Sequence, residues 1–126
     1  MRAIDTNVLV RLITRDDAAQ VAAAEAFVES GAWVSHLALA EAMWVLTAVY
    51  ELDAPAIATA IEMLLNHATL ALEEPEVVSN ALQDFRRLPA LGFSDCLLLE
   101  IARNAGHLPL GTFDRALSKV AGAERI

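Results

Sequence analysis

Cysteine is nearly absent from this chain. Cys96 stands alone, so no intramolecular disulfide is available and the fold must hold by packing. That usage fits a reducing compartment. Long apolar runs are missing too, since none approaches the roughly 18–20 residues that span a bilayer. The opening Met1-Arg2-Ala3-Ile4-Asp5 lacks the long apolar core and cleavage site of a signal peptide. The expectation is a soluble, cytoplasmic protein that does not engage a membrane. Basic residues are scarce, with 9 Lys and Arg against 17 acids, a net charge of −8, and none at all between Arg15 and Arg86. A general nucleic-acid coat is thereby disfavoured, because such binding comes mainly from basic neutralisation of phosphates. A site that recruits cations before it meets an anion is not, because its carboxylates themselves lower the count.

What is present is apolar bulk, 56% of 126 residues. One domain over 1–126 with a proper core is expected. Strand and helix signals alternate. Arg2-Ala3-Ile4 reads as a short strand broken at Asp5, and Asn7–Ile13 follows with helical spacing. Asp16 or Asp17 caps a helix over Ala18–Glu29, and Ala32–Val34 reads as the second strand. Ser35 caps a strongly apolar helix near Leu37–Leu52, and Pro55 starts another to about His67. Thr69–Leu72 is a third strand, and a helix runs from Glu74-Pro75-Glu76 to Arg87. Ser94 caps a helix over Asp95–Asn104, stopped by Gly106. Leu108-Pro109-Leu110 reads as a late strand with proline at its beginning. A helical segment over Asp114–Val120 and a short edge strand complete the chain. Strands alternating with helices imply an α/β fold with a mainly parallel sheet of about five strands.

In such sheets ligands bind beyond the carboxyl ends of the strands. Asp5 directly follows the first strand, Asp95 opens the helix after Gly92-Phe93-Ser94, and Asp114 follows the late strand. Glu41 lies two turns into its helix among Leu37, Trp44, Val45 and Ala48, a stripe in which a buried carboxylate needs a partner. No basic residue is near in sequence, which leaves a metal ion as the natural partner. Hard divalent ions take oxygen ligands, activate water and stabilise charge on an attacked phosphate. Singly, Asp5 and Asp95 also suit first-turn acids that complement helix dipoles, and Asp114 suits an N-cap. Their joint placement with Glu41 is what points to a site.

The motifs resemble a family. Ile4-Asp5-Thr6-Asn7-Val8-Leu9 is similar to the opening of PIN domains, particularly VapC toxins of type II toxin–antitoxin modules. Ser35–Leu52 resembles the segment that carries the family's Glu before an aromatic-rich helix. Phe93-Ser94-Asp95-Cys96 resembles the third acidic motif, and Gly111–Leu117 the fourth. The resemblance implies a three-layer α/β/α fold and Mg²⁺- or Mn²⁺-dependent endoribonuclease activity. It makes Asp5, Glu41, Asp95 and Asp114 the catalytic and metal-binding acids, with Asn7 and Thr112 orienting carboxylates or water behind them. It also implies an RNA substrate, a cognate VapB-like antitoxin and a homodimer. One or two ions remain open.

Other residues carry less. His36, His67 and His107 share no ligand spacing, and Cys96 reads as a small buried hydrophobe. Trp33, Trp44 and Tyr50 fit core or dimer contacts better than base stacking. Arg86-Arg87, Arg11, Arg15 and Arg115 are candidates for RNA backbone contact. A dimer is expected through the two apolar helices, where Ala38 and Ala42 would permit close approach. Two competing functions are weaker. A haloacid-dehalogenase-type enzyme expects an acid at position 7, which is Asn7. A non-catalytic PIN-like scaffold would be expected to have lost an acid.

Overall fold

The computed structural model describes residues 1–126. In chain order the elements are β1 (Arg2–Ala3), α1 (Thr6–Thr14), α2 (Ala18–Val28), β2 (Ala32–Val34), α3 (His36–Ala48) and α4 (Ala54–Leu65). There follow β3 (Leu70–Leu72), α5 (Pro75–Arg87), α6 (Phe93–Ala105), β4 (Leu110–Thr112), α7 (Arg115–Ser118) and β5 (Ala123–Arg125). The fold is α/β, and all strand pairs are parallel, as the alternation of elements requires. The five strands lie in two small sheets, β1-β2-β3 and β4-β5, where one sheet of about five strands was expected. The chain divides into two compact units, Met1–Pro75 and Glu76–Ile126.

In the first unit, β2 is the central strand, pairing Arg2 with Ala32 on one side and Ala32 with Leu70 on the other. Side-chain caps start the helices: Asp17 accepts from Gln20, Ser35 from Ala38, and Asp53 from Ala56. Each satisfies an amide that the first helical turn leaves unpaired. Helix α1 packs on α2 and α3, and α4 packs on β3 and α3. Leu9, Val34, Leu39, Leu46 and Ile61 are essentially fully buried.

Helix α3 corrects two expectations. Ala38, Leu39, Ala42, Met43 and Leu46 are all buried within the chain, so Ala38 and Ala42 offer nothing to a second copy. With that stripe turned inward, the opposite arc of a 3.6-residue helix must face out. Leu37 and Trp44 are accordingly 69% and 66% exposed, and Glu41 between them is exposed as well. The cost of burying Glu41 therefore does not arise. Trp44 is not a core residue either.

In the second unit, Phe85 of α5 and Phe93 of α6 meet edge to face, with ring centroids 6.1 Å apart. Two acids are buried there, Asp84 and Glu100, paired with Arg87 and Arg103 respectively. Arg87 reaches Asp84 while its side chain stays largely exposed. Glu100 is held above its usual range, first by burial and then by the facing Asp84. Cys96 is buried, and its thiol is pushed up to about 12 by burial and by Asp84, Asp95 and Glu100. It is an inert packing group.

Several boundaries differ from expectation, among them the end of α3 at Ala48 rather than near Leu52. Helix α6 begins at Phe93 with Gly92 as its cap and no side-chain cap bond, so Ser94 lies inside the first turn. Strand β4 starts at Leu110, not Leu108, because Pro109 has no N–H to give a ladder; the Leu108–Pro109 peptide is cis. Helix α7 is a single turn that ends at Ser118. The last segment does pair as a strand, with Thr112 opposite Arg125.

Candidate active site

The four acids fall into two pairs, one in each unit. In the first, Asp5 lies two residues past β1 and caps α1: its Oδ1 accepts the Val8 N–H at 3.1 Å, leaving Oδ2 without a protein partner. The next residue, Thr6, donates its hydroxyl to Glu41 Oε2 at 2.8 Å. That bond ties the start of α1 to the outward face of α3 and fixes where Glu41 points. Asp5 and Asn7 also line a cleft of about 380 Å³ whose walls include Val8, Arg11, Gln20 and Phe27. Arg11 is held there by Gln20, Asp16 and Tyr50. A larger cleft of about 600 Å³ lies between α1, α2 and α4 and contains none of the four acids, so volume alone does not mark the site.

In the second unit, Asp95 sits in the first turn of α6, half-buried. Asp114 caps α7, its Oδ1 accepting from Leu117 N–H at 2.9 Å. Thr112 Oγ1 in turn accepts the Asp114 N–H at 3.0 Å, which holds the loop that presents the acid. Burial, and then repulsion from Asp114, hold the Asp95 carboxyl above its ordinary range. The fold is therefore penalised as pH rises from the ordinary carboxylate range through the raised folded pKa of Asp95. Asp114→Asn should move the Asp95 midpoint down, read by carboxyl-carbon NMR in metal-free buffer. An unchanged midpoint would show the repulsion to be negligible.

Three of the four acids thus occupy helix starts, as the purely structural reading of each had it. That role uses one oxygen each in Asp5 and Asp114. The Asn7 side chain makes no hydrogen bond, whereas Thr6, not singled out from the sequence, makes the bond that orients Glu41. A hydroxyl beside a helix-capping acid was the available signal. His36 lies at the start of α3 against Glu73, with its backbone N–H donating to that carboxylate. None of the three histidines joins an acid pair.

The fit to a cation rests on what the carboxylates lack. No basic side chain is paired with Asp5, Glu41, Asp95 or Asp114. The Asp95–Asp114 repulsion is one that a positive ion would relieve. Oxygen donors of this kind suit hard divalent ions. No three histidine, cysteine or acidic side chains are gathered into a ready-made ion cage.

The family follows from the sequence model it matches: residues 3–123 fit the PIN domain, and the chain belongs to that family. PIN domains are generally nucleases, hydrolases of nucleic-acid phosphodiester bonds, and typically use divalent metals. No curated protein and no solved structure matches the chain. No helix is long and apolar enough to cross a membrane.

Proposed function

We propose that this chain is a Mg²⁺-dependent endoribonuclease, with Mn²⁺ as a substitute ion, and the toxin of a VapBC-like type II module acting in the cytoplasm. The observation that carries the reading is the set of four carboxylates without basic partners, inside a family match that runs through both units. The same span supports treating 1–126 as one PIN domain, with Asp5, Glu41, Asp95 and Asp114 as its candidate catalytic and metal-binding acids. When bound, a divalent cation supplies Lewis acidity at the phosphate and lowers the pKa of a water. The chain's part is to hold and aim oxygens. Asp5 and Asp114 are fixed by their caps, Glu41 by Thr6, and Asp114 again by Thr112. Water adds to phosphorus, the bond to the 3′ oxygen breaks, and that oxygen takes a proton. The products are a 5′-phosphate and a 3′-hydroxyl.

Sequencing of RNA ends after expression of wild type and Asp5→Asn tests this reading. Cuts with 5′-phosphates confined to wild type are expected, while 2′,3′-cyclic phosphates or full activity in chelator would sink it.

The partners belong to the same proposal. With Ala38 and Ala42 buried, a two-fold homodimer rests on apolar residues left in water: Leu37, Trp44 and Val49 near α3 and Met63 of α4, each more than 60% exposed. Light scattering at micromolar concentration should give twice the chain mass, and Trp44→Glu should return it to one. An antitoxin tail that brings a basic side chain to the unpaired acids would inhibit by charge pairing.

A further inference from the structure

Six of the nine basic side chains are already occupied. Arg2 lies over the Phe27 ring and donates to its carbonyl. Arg11, Arg15, Arg87 and Arg103 are paired with acids, and Arg86 also has a partner. The three left without one are Arg115, Lys119 and Arg125. All lie in the last twelve residues, in a chain whose net charge is −8. Residues 112–126 hold three of the nine basic residues but only two of the seventeen acids. In the same stretch Phe113 is 80% exposed, a whole aromatic ring standing in water immediately before Asp114.

The ring is presented on a fixed backbone. Thr112 Oγ1 accepts the Asp114 N–H, Asp114 Oδ1 accepts the Leu117 N–H, and the β4–β5 ladder pairs Thr112 with Arg125. Arg115 and Lys119 are four residues apart across α7, which puts them on one side of that turn. An exposed ring on a pinned loop offers a stacking face at little entropic cost. Unpaired cations beside it offer phosphate contacts. Stacking platforms combined with a local positive track are how sequence-tolerant single-strand binding is built.

We propose that the β4–α7–β5 segment is the strand grip of this domain. Phe113 stacks on an unpaired base of single-stranded RNA while Arg115, Lys119 and Arg125 hold its backbone phosphates. The inference rests on the nuclease reading, because it places the gripped strand next to Asp114. It deepens that reading by making the substrate unpaired at the cut. Duplex RNA, whose bases are already stacked, has no free face for Phe113 and binds through the cations only.

The test uses the full chain carrying Asp95→Asn, which limits cleavage, and a fluorescein-labelled 12-nucleotide single-stranded RNA followed by anisotropy. A matched duplex and a polyglutamate peptide of equal charge are run beside it. Phe113→Ala should weaken single-strand binding by between about five-fold and about one hundred-fold. Phe113→Trp should restore it, and thermal stability should change little, because the side chain is 80% exposed. Replacing Arg115, Lys119 and Arg125 together with Gln should flatten the slope of log affinity against log salt by about 2.

Unchanged affinity in both variants overturns the grip. So does polyglutamate binding as tight as RNA and equally indifferent to Phe113, which would mean a charge patch for an acidic peptide. Cleavage by the wild-type chain is scored separately. A chain that cuts RNA while Phe113→Ala binds normally keeps the nuclease and loses the grip. A chain that binds through Phe113 but never cuts keeps the grip and loses the nuclease.

Discussion

Asp5→Asn and Asp95→Asn should each lower RNA cleavage by about two to three orders of magnitude while leaving the fold intact. The size follows from losing an oxygen that holds a cation, or charge stabilisation at the phosphate, each of which typically costs about 10-fold to 1,000-fold. The selectivity follows from local structure. Asn is as good a helix cap as Asp, so Asp5→Asn keeps the bond from Val8 N–H and the start of α1. Glu41→Gln likewise keeps an oxygen for the Thr6 hydroxyl, and its side chain is exposed, so it should lose activity without losing stability. Asp114→Asn keeps its cap to Leu117 and should be the mildest of the four. Initial rates in Mg²⁺, with melting curves with and without the ion, check this. Wild type should gain stability with metal by linkage, and a variant lacking two Asp should not. Rates within two-fold of wild type for Asp5→Asn or Asp95→Asn would remove those acids from the chemistry.

Leu46→Ala should do the opposite, costing stability and leaving the acids alone. Leu46 is fully buried on the inner stripe of α3, five residues from Glu41. Its truncation leaves a cavity that close-packed neighbours fill only in part, at a cost of about 2–5 kcal/mol. For a domain of this size the melting temperature should fall by roughly 10 °C or more. Below that transition, the rate per folded molecule should stay close to wild type. Calorimetry and rates measured well below the melting point separate the two quantities. A loss of less than about 1 kcal/mol would mean that the inner stripe of α3 is not the core of the first unit. The pair Glu41→Gln and Leu46→Ala thus tests the division of labour on one helix: one face for chemistry, the other for the fold.

Two of the acids, Asp5 and Asp114, carry a local signature as helix caps. Asp5, Asp17, Ser35 and Asp114 precede helical spacing, and in all four the side chain caps the helix that follows, as Asp53 also does for α4. Such bonds join residues three apart and need no tertiary context. Gly106 ends α6 in a left-handed conformation for the same local reason. Ser94 was misread because its neighbour Gly92 takes the cap, and no side-chain bond decides between them. At α3 the period was readable but its phase was not. A helix apolar all round has no sequence mark for its inner side.

By itself, then, the sequence determined the order of elements, the parallel α/β class and most helix starts, and it supplied the four acids on which the proposed function rests. These follow from spacing and from interactions a few residues long. Only the tertiary structure decided that Ala38 and Ala42 are core, that Glu41 faces outward under the hydroxyl of Thr6, and that Asp84 and Glu100 are buried and reached by arginines that stay exposed. It alone separated the occupied cations from Arg115, Lys119 and Arg125. The reason is physical: which face of a helix is buried, and which charge finds a partner, depend on what packs against it from elsewhere in the chain.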